Sequence, residues 1–121
     1  MCMFRSKMRA LDIPKNRGRV GYKVVDRSGK GLFYYGFGVV RRAWVQASAR
    51  PSPANHFGWY VFDSLKQAQG YRDTGQKVVR VLVCGRVVKG REPDSGLEGY
   101  RAEWIKRAPR PQTQRRKGRQ K

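Results

Sequence analysis

The stretch from Phe57 to Val88 reads FGWYVFDSLKQAQGYRDTGQKVVRVLVCGRVV, and the architecture of the chain is built on it. Gly58 to Phe62 is aromatic and β-branched, which suits a pleated, half-buried surface and predicts a short strand. Asp63 and Ser64 follow, each with a short side-chain oxygen able to accept an orphan N–H at a helix start. Leu65, Ala68 and Tyr71 then recur at helical spacing, with Lys66, Gln67 and Gln69 on the other faces. Asp73-Thr74-Gly75 has turn chemistry. From Val78 to Val88 the pattern alternates, with Val79, Val81, Val83 and Val87 on one side and Arg80, Leu82, Cys84 and Arg86 on the other. The unit reads as strand, helix, strand.

Outward from it, Val20 to Val25 (VGYKVV) predicts an earlier strand, and Leu32 to Val40 (LFYYGFGVV) one bent at Gly36 and Gly38. Gln46 to Asn55, with two prolines, reads as a surface loop, as does Lys89 to Gly99, where Glu92, Asp94 and Glu98 collect. Tyr100 to Lys106 predicts a last strand. Residues 1–18 read as a basic N-terminal arm, either a short helical face of Met3, Phe4, Met8 and Leu11 or a loose segment. Residues 19–106 form a single domain. The tail, 107–121, has no acid and nothing apolar larger than Ala, so it cannot offset its ordering entropy and is expected to be disordered alone. The expected class is α+β: a small twisted or split, mostly antiparallel sheet with one or two short helices.

Charge is the dominant global property. Lys and Arg number 28 against 8 acids, a formal +20 over 121 residues. Self-repulsion of that size opposes compaction and points to a polyanion, whose displaced counterions supply affinity. Eight of the cations lie from Lys106 onward, so the body is basic without the tail. Aromatic residues interleaved with cations suit single-stranded RNA or DNA, where bases stack while ammonium and guanidinium groups hold phosphates. The candidate nucleic-acid residues are Lys23, Lys30, Arg41, Arg42, Trp44 and Arg50, with Arg110, Arg115, Arg116, Lys117 and Arg119 in the tail. No RNA-recognition, KH or helix-turn-helix signature accompanies them, so binding is expected to be mainly electrostatic.

Two cysteines, Cys2 and Cys84, make no disulfide framework, and the single histidine, His56, makes no metal set with them. No nucleophile elbow or phosphate loop is present. MCMFRSKMRAL has no apolar core of a secretory signal and no run of about 20 apolar residues exists, so the protein is expected in the cytoplasm, away from membranes.

Gly58, Tyr60, Phe62, Ala68 and Tyr71, followed by the strand from Val78 to Gly85, resemble the core of the ADP-ribosyltransferase fold in its poly-ADP-ribose-polymerase branch. Tyr22-Lys23-Val24 and Glu103-Trp104-Ile105 stand where that family has its early His or Arg strand and its late Glu strand. The resemblance implies an ADP-ribosyltransferase-like scaffold. As an enzymatic alternative it implies NAD as cofactor, Tyr60 and Lys23 against the cofactor, and Tyr60 with Glu103 as the catalytic pair. Lys23 departs from the pattern, because an ammonium lacks the directional contacts of imidazole or guanidinium. Outside that alternative no cofactor is expected.

Met1-Cys2-Met3-Phe4, Tyr22-Lys23-Val24, the Gly58 to Ala68 helix entry and Tyr100-Arg101-Ala102 also resemble a group of small uncharacterised phage and bacterial proteins. That likeness implies a phage or mobile-element origin. Three roles follow as expectations: a non-enzymatic binder of RNA, DNA or a ribonucleoprotein, including an anti-CRISPR-like inhibitor of a host defence complex; a transferase acting on a host protein or nucleic acid; and a virion-associated protein that neutralises DNA.

Overall fold

The computed structural model describes residues 6–28, 40–55, 57–92 and 95–109. The strand expected at residues 32–40 lies almost wholly outside them, as do Lys30, His56 and residues 110–121.

Among the described residues the fold is mostly antiparallel sheet with one short helix. The elements are β1 (Ser6–Ile13), a 3-10 turn over Lys15–Arg17, β2 (Arg19–Val25), β3 (Val45–Gln46), β4 (Trp59–Phe62), α1 (Leu65–Tyr71), β5 (Lys77–Arg91) and β6 (Glu98–Arg107). They form a six-stranded sheet in the order β1-β5-β2-β4-β6-β3, and β5 also pairs with β6. That extra pairing joins β5, β2, β4 and β6 into a closed ring, so the sheet curls round its own core and these four strands keep few open edges.

The central unit forms as its residues dictate. Ser64 Oγ accepts the Gln67 N–H at 3.1 Å and starts α1, and the Gln76 N–H meets the Asp73 carbonyl at 3.0 Å in the turn after it. Val79, Val81, Val83 and Val87 all face the interior, where they pack with Val25, Trp59, Val61, Tyr100, Ala102 and Ile105. On the outer side of the curl, Val24, Tyr60, Phe62 and Ala68 make a second cluster under the helix. Only Ala68 of the helix is buried; Leu65 and Tyr71, expected to share its apolar face, stay over 40% exposed. A helix under two turns long covers only a small patch of the sheet, where the Tyr71 ring lies tilted on Phe62 at 5.3 Å.

Three expectations are corrected. Ser6–Ile13 is neither a helical face nor a loose arm: it pairs antiparallel with the far half of β5, from Ser6↔Arg91 to Ile13↔Gly85. The predicted loop at residues 89–99 is shorter, because β5 runs to Arg91 and β6 starts at Glu98, with Arg91↔Glu98 as their first pair. Lys23, read as a surface cation, points into the core. It is opposite Val79 in the β2–β5 register, and β2 alternates so that Gly21, Lys23 and Val25 face inward.

Two bulges shape β5's neighbourhood. Between Cys84 and Val87 the β5–β6 register slips, Gly85 takes φ +80°, and Glu103 Oε1 accepts the Arg86 N–H at 3.0 Å. Here β5 exchanges β2 for β1 as its outer partner, since Arg19 pairs with Val83 and Ile13 with Gly85. The other bulge lies on β1: Lys7 and Met8 together oppose Gly90, and Lys7 adopts φ 51°. A non-glycine residue in that region costs on the order of 1 kcal/mol.

Candidate nucleic-acid interface

The β1 bulge opens onto a groove of about 440 Å³ lined by Lys7, Met8, Arg9, Lys89, Gly90, Arg91 and Glu98. Arg9 and Lys89 are direct cross-strand partners in the β1–β5 register. Partners at such positions have Cβ atoms about 5 Å apart, and like charges there repel. The walls carry four cations and a single carboxylate, and because Glu98 pairs with Arg91 at 2.8 Å, Lys7, Arg9 and Lys89 are the three cations left outside that pair. A second groove of about 440 Å³, lined in part by Asp12, Arg17 and Arg19, continues past the other end of β1. Asp12 is held there by Arg86 at 3.0 Å. None of Lys7, Arg9, Lys89 or Arg91 was singled out from the sequence. Their only local signal was cations recurring along two segments read as arm and loop.

Two sequence-nominated cations, Arg41 and Arg42, lie with Trp44 near the end of β6, beside Lys15 and Lys106, which the sequence did not single out. The Arg107 N–H donates to the Arg41 carbonyl at 2.6 Å, which holds the Arg41–Trp44 segment against the end of β6. Arg41 and Arg42 are exposed there. The Lys106 ammonium lies over the Trp44 ring at 4.7 Å, and that of Lys15 over Trp104 at 3.8 Å. The Ala108 N–H donates to the Arg80 carbonyl, so the chain leaves the described residues toward its basic C-terminal sequence beside another cation. Arg50 faces Glu103 at 3.8 Å. The tail residues Arg110, Arg115, Arg116, Lys117 and Arg119, like Lys30, fall outside the described residues.

The residues nominated for enzymatic chemistry have structural occupations. Tyr60 is 1% exposed, its side chain packed with Val24, Phe62 and Ala68, so neither face of the ring is open. Lys23, fully buried, donates to the Tyr60 carbonyl at 2.8 Å, and burial pulls its pKa down to about 7. Glu103 is directed at the β5 bulge and at Arg50, and its own carbonyl receives the Ala47 N–H. Cys84 is buried and burial pushes its thiol pKa up, away from the reactive thiolate. Tyr100 donates to Asp63 Oδ1 at 2.7 Å; burial first, then that bond, raises its pKa to about 12.

Arg101 is the buried cation that sequence reading missed, since Tyr-Arg-Ala in an alternating strand gives no sign of which face is covered. Its guanidinium donates to the Ser52 carbonyl at 2.9 Å, the Phe57 carbonyl at 3.0 Å and Asn55 Oδ1 at 3.3 Å. It thereby pins the proline-bearing loop across the outside of β4 and β6.

Among the described residues no group of three or more His, Cys, Asp or Glu is placed to hold a metal ion, and no helix is long and apolar enough to cross a membrane. No protein-family model matches this chain, and neither a curated protein nor a solved structure matches it.

Proposed function

We propose that this is a non-enzymatic polyanion-binding protein acting on RNA, DNA or a ribonucleoprotein in the cytoplasm. The observation that carries the reading is the direct opposition of Arg9 and Lys89 in a groove that also holds Lys7 and Arg91. Without a ligand, such a pair costs stability. A phosphate between the two turns the same repulsion into two charge-assisted contacts. The left-handed Lys7 adds a second local cost at the same place, and backbone strain of this kind gathers at binding sites. The overall +20 supplies long-range attraction for a polyanion of any sequence. An ADP-ribosyltransferase reading draws no comparable support, because Tyr60 has no open face for a nicotinamide and Glu103 is occupied at a bulge. The likeness to small phage and bacterial proteins supports a host-directed role for the binding, such as obstructing a defence complex through its RNA or DNA.

The test is fluorescence anisotropy of labelled oligonucleotides and of inorganic polyphosphate across a salt series. Affinity should fall linearly with salt on a log–log plot, and R9E/K89E should weaken every polyanion. Salt-independent binding, or an R9E/K89E protein with undiminished affinity, would sink the reading.

A further inference from the structure

We infer that the outer face carrying Trp44 and Trp104 is a base-stacking platform, so that the preferred polyanion is a single-stranded nucleic acid. This rests on the polyanion reading and adds a source of selectivity to it. Trp104 lies opposite Cys84 of β5 and Gln46 of β3, while Lys106 lies opposite Leu82. Trp104 and Lys106 are two residues apart on β6, so both project from one face, on the order of 7 Å apart along the strand. The Trp44 ring crosses toward this row: a Cβ added at Gly18 would meet both Trp44 Cη2 and Leu82 Cβ at 3.2 Å. The two indoles therefore share a face, and both are only partly buried.

Each indole has its own ammonium, Lys15 over Trp104 and Lys106 over Trp44. Neither ammonium is within ion-pair distance of a carboxylate among the described residues. Cation–π contact at a ring that is not fully desolvated is weak, and a stacked base competes with it. When a base takes the ring, the displaced ammonium stays at its rim, within reach of that nucleotide's phosphate. Arg41 and Arg42 extend the positive field beside the platform. A duplex keeps its bases stacked on one another and presents mainly phosphates, whereas a single strand can use ring and cation together.

The chain offers a direct readout. Of its three tryptophans, Trp59 is 3% exposed, so quenching by an added oligonucleotide reports on Trp44 and Trp104. The intact protein is titrated with oligo-dT, a duplex of matched phosphate content and inorganic polyphosphate, following tryptophan emission and anisotropy together. Oligo-dT should quench the emission and bind more tightly than the duplex, while polyphosphate should bind with little quenching. W44L and W104L, which keep apolar bulk on the sheet, should each weaken oligo-dT roughly ten-fold and leave polyphosphate within about two-fold. If oligo-dT binds without quenching, or the variants weaken oligo-dT and polyphosphate equally, the platform is overturned while polyanion binding stands. If neither ligand binds the unmodified protein, the polyanion reading falls and the platform with it.

Discussion

Arg9 of β1 and Lys89 of β5 stand directly opposite each other in the sheet, two cations meeting from distant parts of the chain where a folding-only design would place a neutral or opposite-charge pair. This relationship separates stability from binding. Replacing Lys89 with Gln should leave the melting temperature unchanged or slightly raised, because a repulsion is removed. It should also weaken polyanion binding and reduce the log–log salt slope by roughly 0.7–0.9 for each phosphate that is no longer neutralised. Thermal melts and a salt series on one preparation check both halves.

Lys23 gives the fold a pH dependence with a defined sign. Its pKa falls from 10.5 unfolded to about 7 folded, so between those values the unfolded chain binds the extra proton. Stability is therefore greatest toward the alkaline end and is lost as pH falls through 7. Cys84 and Tyr100, whose pKa values are raised, act in the opposite direction above about pH 9. Urea midpoints measured from pH 6 to 8.5 should rise with pH, and Lys23→Met, which fills similar space without an ionisable group, should flatten the rise.

Arg101 ties the loop at residues 52–57 to the outside of the sheet through the Ser52 and Phe57 carbonyls. Arg101→Leu removes the donor and leaves those acceptors to find water, at a cost of about 3 kcal/mol. Arg101→Lys should recover only part of this, because a single ammonium cannot span the positions the guanidinium fork reaches. Chemical denaturation gives the magnitudes. Hydrogen exchange at Asn55 and Phe57, whose N–H groups lie in the pinned loop, should rise well before the strands open.

Gly21 and Gly85 are required for different reasons. A Cβ at Gly21 would run into Val61 Cγ1, part of a stiff β-branched side chain inside the curl. Gly21→Ala should cost about 1–3 kcal/mol as overpacking. Gly85 combines φ +80° with Trp104 Cδ1 at 2.7 Å and Glu103 Oε1 at 2.8 Å from a built Cβ. Gly85→Ala should therefore destabilise and also disturb Trp104 emission, which Gly21→Ala should not do.

Glu103→Gln distinguishes an enzymatic from a structural carboxylate. Its Oε1 accepts the Arg86 N–H, and an amide oxygen can still do so. The substitution should leave polyanion binding within about two-fold and lower the melting temperature by no more than a few degrees. Loss of biological activity with binding and fold intact would instead assign chemistry to this carboxylate.

Local rules in the sequence carried the central unit. Alternating valines from Val79 to Val87 all reached one core, Ser64 capped the helix, and Asp73-Thr74-Gly75 made the turn, because strand period, cap chemistry and turn residues act over a few positions. The excess of positive charge is a property of composition and needs no fold. The final positions of individual cations, by contrast, depend on long-range packing. Lys23 and Arg101 read like any polar member of an alternating strand, yet closure of β5, β2, β4 and β6 buried one inside the curl and the proline loop covered the other. Arg9 and Lys89 came from segments with no shared local signal. Register between β1 and β5 brought them face to face, because strand pairing is a long-range choice made by the packing of whole surfaces.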